Sequence, residues 1–313
     1  MSCPVAIVFP GQGSQHLNML SQGSILDVAQ SPEFSHLVEL CSDLISIDFF
    51  GLIENGPDDS LNKTSITQPV LLLASYFHYQ KLINNIKVDP IMFAGHSLGE
   101  YSALVAANSI SIEDALQVVR KRGLLMEEAP IGSMAAILGL SISTIDELCQ
   151  QVSMDASMQV QCANINSPTQ TVISGSNEAV LRTQELCLQA GAKRTITLKV
   201  SIASHSPLMK IAKDEFYDFL SSIELKAPEI SVLHNVTNQS SAEPSAIKNL
   251  LVQQLYSPVQ WVNICRELVA LNLPLIECGP SKVLGGLFKA NGANDYFSTA
   301  DSNFYEKILI HVK

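Results

Sequence analysis

A serine stands between two glycines at residues 95–99, where a short apolar stretch gives way to a helical pattern. The preceding stretch, VDPIMFAG at 88–95, is apolar and short enough to be a buried strand. After the serine, apolar residues recur at helical spacing from Leu98 to Val105. The sequence GHSLG therefore fits G-x-S-x-G in a strand–turn–helix context, which is typical of an α/β fold.

The two glycines of this turn have a physical reason. The turn is sharp and its backbone strained, so a Cβ at Gly95 or Gly99 would crowd the serine or the following helix. On the functional interpretation, Ser97 is a nucleophile at a helix N-terminus, where free N–H groups and the helix dipole favour a developing oxyanion. The alternative is a Gly-Ser turn that merely begins a helix, and the five-residue pattern alone leaves both open.

Composition limits the class of protein. With 313 residues, 47% of them hydrophobic, the chain can bury a full core, and it contains no low-complexity tract. The net charge of −11, from 19 basic and 30 acidic residues, argues against nucleic acid as a partner. No apolar run has the length that a bilayer span needs, so we expect no membrane partner.

Cysteine and histidine usage bears on compartment and metals. The seven cysteines are scattered and form no C-x-x-C pair, and the seven histidines show no H-E-x-x-H spacing. The N-terminal residues lack the basic segment of a signal peptide. We therefore expect a reduced, cytoplasmic protein that binds no metal.

The middle of the chain, residues 130–202, differs in character from the rest. Its predicted elements run strand–helix–strand–strand–helix–strand, the ferredoxin-like split unit, inside a chain that otherwise alternates strands and helices. We predict a large α/β domain over 1–129 and 203–313, with a ferredoxin-like subdomain at 130–202 and a ligand cleft between them. The predicted strands are Val5–Phe9, 88–95, Met134–Leu140, 160–166, 169–175, 193–201, 229–236 and 273–279; the predicted helices include Gln68–Leu82, Ile112–Glu128, Ser143–Val152, Asn177–Ala190 and Ser245–Tyr256.

A nucleophilic serine needs a base within hydrogen-bond reach. His205 lies in SIASHS, a loop of small residues that enters a helix at the predicted cleft, and is the favoured candidate. His234 lies in a strand-like segment, which is typical of a buried core histidine. The carboxylates between Ser97 and His205 fall mainly on amphipathic helices, and none follows a core strand in a turn. The serine is therefore expected to work without an aspartate, and some other group must orient the imidazole.

Arg122 lies in the C-terminal part of the helix that follows the serine turn. One interpretation is a surface arginine that favours the helix dipole or pairs with Glu127. If it faces the cleft instead, its planar fork suits a carboxylate held bidentately. A site with one nucleophilic serine and one buried arginine selects an acyl group that bears a free carboxylate.

Several motifs occur in order along nearly the whole chain. They are FPGQGSQ at 9–15, LNKT at 61–64 with TQP at 67–69, GHSLGEYSAL at 95–104, RG at 122–123, NSP at 166–168, SH at 204–205 with LMK at 208–210, QLYSPVQW at 254–261 and ECGPSKVLGGL at 277–287. Together they resemble the malonyl-CoA:acyl carrier protein transacylases of bacterial fatty acid synthesis. The resemblance implies an α/β-hydrolase-like large domain with a ferredoxin-like insert.

The same resemblance implies the catalytic roles. Ser97 is the expected nucleophile and His205 its general base, a dyad rather than a triad, with the backbone carbonyl of Gln254 orienting the imidazole. The backbone amides of Gln12 and Leu98 are the expected oxyanion hole.

The resemblance also implies substrate contacts. Arg122 is expected to hold the malonyl carboxylate, and Gln68 and Asn166 are expected pocket or coenzyme A contacts. The small residues before His205, in IASH at 202–205, differ from the aromatic-bearing motif of malonyl-selective polyketide acyltransferases. Malonyl is the expected acyl group, and methylmalonyl remains an alternative.

The implied reaction is ping-pong: malonyl-CoA acylates the serine, and the phosphopantetheine thiol of acyl carrier protein takes the malonyl group. No permanently bound cofactor is implied, the coenzyme A thioester being the substrate, and the family expectation is a monomer. Acidic acyl carrier protein is expected to meet basic residues near the cleft, namely Lys193, Arg194, Lys199 or Lys210. Alternative functions are a free-standing polyketide synthase acyltransferase, a serine esterase or thioesterase, and a catalytically silent scaffold.

Overall fold

A five-stranded parallel sheet forms the centre of the larger lobe. The structure, a computed structural model, describes residues 3–21 and 25–311. Strand order across the sheet is β7-β2-β1-β8-β9, and every pairing is parallel. The strands are β1 Cys3–Phe9, β2 Val88–Gly95, β7 Val232–Leu233, β8 Leu275–Glu277 and β9 Tyr296–Ser298. All five residues from Val5 to Phe9 are buried, as expected for a central strand covered by helices on both faces.

Helices surround this sheet and complete the large core. The longest, α5, spans 22 residues, and 16 of them are buried because it runs through the core rather than over the surface. The helices are α1 Ile25–Ala29, α2 Ser35–Ile45, α3 Phe49–Asn55, α4 Asp58–Leu61, α5 Thr64–Asn85, α6 Gly99–Ala106, α7 Ile112–Glu128, α8 Ile142–Val152, α9 Asn177–Gln189, α10 Lys213–Ser221, α11 Pro244–Gln254, α12 Trp261–Ala270, α13 Val283–Ala290 and α14 Phe304–His311. Short 3₁₀ helices occupy Pro32–Phe34 and Pro207–Ala212.

A separate antiparallel sheet carries the ferredoxin-like order. Its strands are β3 Ser133–Leu138, β4 Val160–Ser167, β5 Gln170–Gly175 and β6 Arg194–Thr197, arranged β4-β5-β3-β6. With α8 and α9 they run βαββαβ along the chain, so the predicted fold class is confirmed. A second hydrophobic core lies between this sheet and its two helices. The predicted boundaries of the insertion, residues 130 and 202, stay a prediction.

The sequence overestimated the length of several strands and missed one; the strand predicted at 273–279, for example, covers only Leu275–Glu277. The predicted strand at 229–236 is reduced to Val232–Leu233. The next two residues, His234 and Asn235, leave the sheet and take part in a buried hydrogen-bond network described below. The predicted strand at 193–201 pairs only over Arg194–Thr197. Strand β9 follows the segment that was predicted to be the last strand, and its three residues are too short for a periodic pattern.

The topology places three loops together. Strands β7, β2 and β1 are neighbours in a parallel sheet, so their carboxyl ends open on the same edge. The turn with Ser97 follows β2, the loop with Gln12 follows β1, and Asn235 follows β7. Across residues 3–21 and 25–311, no helix has both the length and the apolar character needed to cross a membrane.

Candidate active site

The turn after β2 closes only because two of its residues lack a side chain. A Cβ on Gly95 would lie 1.9 Å from the backbone C and O of Gly99. A Cβ on Gly99 would lie 2.1 Å from the backbone O of Phe9 in the neighbouring strand. Between them Ser97 adopts the left-handed conformation, with φ of 53°. The backbone strain therefore lies at the serine, as expected for a nucleophile elbow.

The structure brings His205 to this serine. Its Nε2 lies 2.7 Å from the Oγ of Ser97, and its Nδ1 lies 2.6 Å from the backbone O of Gln254. A carbonyl can only accept, so Nδ1 carries the proton and Nε2 presents its lone pair to the serine hydroxyl. This is the tautomer that a general base needs.

His205 is fixed by its backbone as well as its ring. It has a φ of 58°, and its N–H donates to the O of Leu255 at 2.9 Å. The Nε2 of Gln161 donates to the O of His205 at 2.7 Å. Burial, followed by the positive charge of Arg122, lowers the pKa of His205 to about 3. The imidazole is therefore neutral near pH 7 and able to accept a proton.

Arg122 faces the serine and not the surface. It is 2% exposed, and its guanidinium donates to the Oε1 of Gln68 at 2.9 Å and to the Oε1 of Gln254 at 3.0 Å. One terminal nitrogen lies 3.5 Å from the Oγ of Ser97. The guanidinium carbon lies 5.5 Å from the centre of the Tyr101 ring, within cation–π range. Burial lowers the pKa of Arg122, but an arginine stays charged in proteins, so a buried cation lies beside the serine.

Two backbone N–H groups near the serine are free. Within the described chain, neither the N–H of Gln12 nor that of Leu98 donates a hydrogen bond to another residue. The side chain of Gln12 is tied to Thr64 instead, its Nε2 donating to Oγ1 at 3.2 Å. Unpaired donors beside a serine are what a developing oxyanion needs.

Comparison with known proteins decides the family. An acyl transferase domain matches residues 6–280. The chain is 42% identical over 290 residues to the malonyl CoA-acyl carrier protein transacylase of Haemophilus influenzae, with 91% of each chain covered. The chain belongs to this transacylase family.

Solved structures of the family have the same fold as this chain. An acyl carrier protein S-malonyltransferase from Vibrio cholerae superposes with a TM-score of 0.90 at 39% identity, covering 97% of this chain and 99% of the other. A malonyl-transacylase solved in complex with a type II polyketide synthase acyl-carrier protein superposes with a TM-score of 0.88 at 38% identity, covering 97% of this chain and 99% of the other. Membership makes the chain an acyltransferase.

No carboxylate in the described part of the chain hydrogen-bonds to His205. The nearest acidic residue in sequence to the serine is Glu100, and it is buried at 1% exposure. Its Oε1 lies 2.8 Å from the Nδ1 of His234, which explains the buried histidine that the sequence predicted as a core residue. The geometry is that of a serine–histidine pair with a backbone carbonyl in the third position.

Of the two predicted pocket residues, Gln68 lies beside Arg122 and Asn166 lies beside His96. Gln68 is fully buried, contacts Arg122, and its Nε2 donates to the Sδ of Met126 at 3.4 Å. Asn166 does not contact the serine: its Oδ1 lies 2.9 Å from the Nε2 of His96, the residue before Ser97. Burial lowers the pKa of His96, so its ring is neutral near pH 7.

Sequence reasoning missed Asn235. Its Oδ1 accepts from the N–H of Ser97 at 2.7 Å, and its Nδ2 donates to the O of Gly95 at 2.7 Å. One side-chain amide thus joins the carbonyl of Gly95 to the N–H of Ser97, across the residue that precedes the serine. The signal was weak, because Asn235 lies within the predicted strand 229–236, 138 residues after Ser97, and nothing local links the two residues.

Proposed function

We propose that this chain transfers a malonyl group from malonyl-CoA to the phosphopantetheine thiol of an acyl carrier protein, through a malonyl-serine intermediate. The observation that carries this proposal is the buried guanidinium of Arg122, one nitrogen of which lies 3.5 Å from the Oγ of Ser97. An acyl group that ends in a carboxylate pairs with this cation when its thioester carbon reaches the serine.

The first half of the reaction acylates the serine. The Oγ of Ser97 attacks the thioester carbonyl while its proton passes to the Nε2 of His205. The N–H groups of Gln12 and Leu98 stabilise the oxyanion of the tetrahedral intermediate. The intermediate collapses, the carbon–sulfur bond breaks, and the proton held on His205 passes to the departing coenzyme A sulfur.

The second half reverses these steps with another thiol. The phosphopantetheine thiol gives its proton to His205 and attacks the malonyl ester. The ester bond breaks, and the Oγ of Ser97 takes the proton back from the imidazole. Apart from the two substrate thiols, the groups that exchange protons are Ser97 and His205, so the proposal includes no permanently bound cofactor; coenzyme A enters and leaves as part of the substrate.

The proposed carrier-docking surface is the basic cluster Lys193, Arg194, Lys199 and Lys210. All four side chains are exposed in a chain whose net charge is −11, so they present positive charge on the surface of an acidic protein. Complementary charge speeds association and makes it depend on salt. Charge reversal at Lys199 and Lys210 is expected to weaken carrier binding at low salt; unchanged affinity excludes this cluster. The proposed unit is a monomer.

The test of the reaction is intact mass after brief mixing with malonyl-CoA, acetyl-CoA or methylmalonyl-CoA. We expect a malonyl adduct on the wild type and none on Ser97→Ala. In Arg122→Ala the malonyl adduct is lost or replaced by acetyl. Release of malonate without an adduct would indicate a serine esterase or thioesterase, and absence of both adduct and turnover would indicate a silent scaffold.

The polyketide alternative differs only in the carrier protein. It is favoured by one observation, the structural match to a malonyl-transacylase bound to a type II polyketide synthase carrier. Competition between a fatty acid carrier and a polyketide carrier for the malonyl-enzyme distinguishes them. Faster transfer to the fatty acid carrier supports the main proposal.

A further inference from the structure

Glu100 is a carboxylate buried under the serine turn that has no part in the reaction described above. Its Oε2 accepts from the Nε2 of Gln254 at 2.7 Å and from the N–H of Asn235 at 3.1 Å. Its Oε1 lies 2.8 Å from the Nδ1 of His234. A buried carboxylate is costly unless it is well hydrogen-bonded, so three partners around one side chain point to a specific role.

The side-chain amide of Gln254 lies between Glu100 and Arg122. Its Nε2 donates to the Oε2 of Glu100 and to the backbone O of Ser97, at 2.7 and 3.1 Å. Its Oε1 accepts from the guanidinium of Arg122 at 3.0 Å. The amide orientation is forced, because a carboxylate only accepts and a guanidinium only donates. The anion and the cation are thus joined through an amide without touching.

We propose that Glu100 is a positioning residue for acyl selectivity, acting through Gln254 to hold Arg122 ready for the carboxylate of the acyl group. This inference rests on the proposed function. A direct Glu–Arg ion pair would occupy the guanidinium fork that the substrate carboxylate needs. The amide relay supplies a buried counter-charge and leaves donors free: within the described residues, the Nε of Arg122 is buried and has no hydrogen-bond partner.

The charge of Glu100 reaches Arg122 in two ways. It favours the charged guanidinium, opposing the effect of burial on the pKa of Arg122. It also polarises the Gln254 amide, and hydrogen bonds in a chain strengthen one another. Glu100 touches Asn235 as well, so its loss lowers acylation by every thioester by a common factor. The selectivity between a malonyl and an acetyl thioester cancels that factor, and it also cancels any difference in the folded fraction.

The test is Glu100→Gln, which keeps the size of the side chain and removes its charge. The carbonyl oxygen of the new amide can still accept from Gln254 and Asn235 if His234 takes its other tautomer. We expect the ratio of malonyl-CoA to acetyl-CoA acylation rates at Ser97 to fall roughly tenfold, as for the loss of a charge-assisted hydrogen bond. The rates are followed by time-resolved intact mass. An unchanged ratio overturns the proposal.

The matched control is Glu277→Gln, the same substitution at another fully buried glutamate side chain, in β8, where burial raises the pKa to about 8. Among the described residues, the Glu277 side chain accepts from the hydroxyl of Tyr296 and the N–H of Leu284 and makes no hydrogen bond to the site, so the ratio is expected to stay at the wild-type value. An equal fall in both variants would show that the ratio responds to a change at any buried glutamate, and would overturn the proposal.

A second variant, Gln254→Met, keeps the backbone carbonyl that orients His205 and removes the side-chain relay. Its ratio is expected to fall at least as far as that of Glu100→Gln. Because both residues act through one amide, adding Glu100→Gln to it should lower the ratio no further. If Glu100→Gln does not fold, an unchanged ratio in Gln254→Met overturns the proposal. Failure of the proposed function can be told apart from failure of this inference, because in the former case the wild type itself would form no malonyl-serine.

Discussion

The Nε2 of His205 lies 2.7 Å from the Oγ of Ser97, although 108 residues separate them in the chain. The serine is brought there by the turn after β2, and the histidine by the loop that enters the 3₁₀ helix at Pro207–Ala212. The backbone O of Gln254 fixes the imidazole from its other side. A carbonyl orients the ring as an aspartate does in a triad, but it adds no negative charge to the site.

Arg122→Lys is expected to separate charge from geometry. Lysine keeps one positive charge but cannot donate to Gln68, Gln254 and a substrate carboxylate in one plane. We expect acylation by malonyl-CoA to fall roughly 10- to 100-fold, and acylation by acetyl-CoA to change little. Single-turnover mass spectrometry measures both rates.

The matched control for that prediction is Arg120→Lys. Arg120 lies on the same helix, and its guanidinium donates to the backbone O of Ser65 at 2.8 Å. Both acylation rates are expected to stay within roughly twofold of the wild type. A malonyl-specific loss here would mean that any arginine-to-lysine change on this helix lowers selectivity, and not the loss of the guanidinium at position 122 in particular.

The pH dependence of acylation follows from the burial of His205. Its pKa is lowered from 6.5 to about 3, so the imidazole remains neutral down to weakly acidic pH. We expect the single-turnover acylation rate to show no half-loss near pH 6.5 and to stay level from pH 8 to pH 5. A midpoint near 6.5 would show that the imidazole titrates as an exposed one.

The buried histidines also affect stability. His78 and His205 both have pKa values of about 3 in the folded protein, below the ordinary 6.5. The unfolded chain therefore binds protons first, and their contribution to stability is lost as the pH falls from about 6.5 towards 3. The loss is at most about 1.4 kcal/mol per pH unit for each histidine. Urea unfolding of the wild type and of His78→Gln, at pH 7 and pH 5, measures the contribution of His78. An equal difference in unfolding free energy between the two proteins at both pH values would contradict the prediction.

Glu277→Gln tests a contribution to stability that is lost as the pH rises, the opposite pH dependence to that of the histidines. Burial raises the pKa of Glu277 from 4.5 to about 8, while the hydrogen bonds from Tyr296 and Leu284 oppose the rise. The folded state keeps a proton that the unfolded chain releases, so this stabilising effect is present below pH 4.5 and lost as the pH rises through 8. The stability of the wild type relative to the variant should fall by at most about 3 kcal/mol between pH 5.5 and 7.5. Urea unfolding at both pH values measures it, and a constant difference would refute it.

Gly95→Ala is expected to destroy the serine turn. Its Cβ would lie 1.9 Å from backbone atoms of Gly99, which cannot move without displacing α6. We expect the unfolding free energy to fall by more than about 4 kcal/mol, the range of severe core changes, or no folded protein. Gly286→Ala is the control: nothing lies within 4 Å of its Cβ on α13, so it should be neutral or stabilise by roughly 0.5–1 kcal/mol. Equal thermal unfolding midpoints for the two variants would contradict this.

Local pattern predicted much of the fold. The helix at Ile112–Glu128 has the bounds that its periodicity gives, and the ferredoxin-like order was readable from alternating strand and helix signals. Strands of two or three residues, such as Val232–Leu233 and Tyr296–Ser298, were shortened or missed. Such strands form because they hydrogen-bond to neighbouring strands of the sheet. They are too short to show the alternation of apolar and polar residues by which a strand is predicted from sequence.

The sequence by itself determined the conformation of the serine turn, since the close backbone approaches at residues 95 and 99 leave no room for a Cβ and so require glycine. It also pointed to His205 from its loop and, through motif resemblance, to the family. Whether Arg122 faced the serine or the solvent was open, and nothing in the sequence suggested that Asn235 spans the turn or that Glu100 joins Gln254. Tertiary structure decided these points. Hydrogen bonds between groups more than a hundred residues apart leave no periodic trace, and they form only when the sheet brings its loops to one edge.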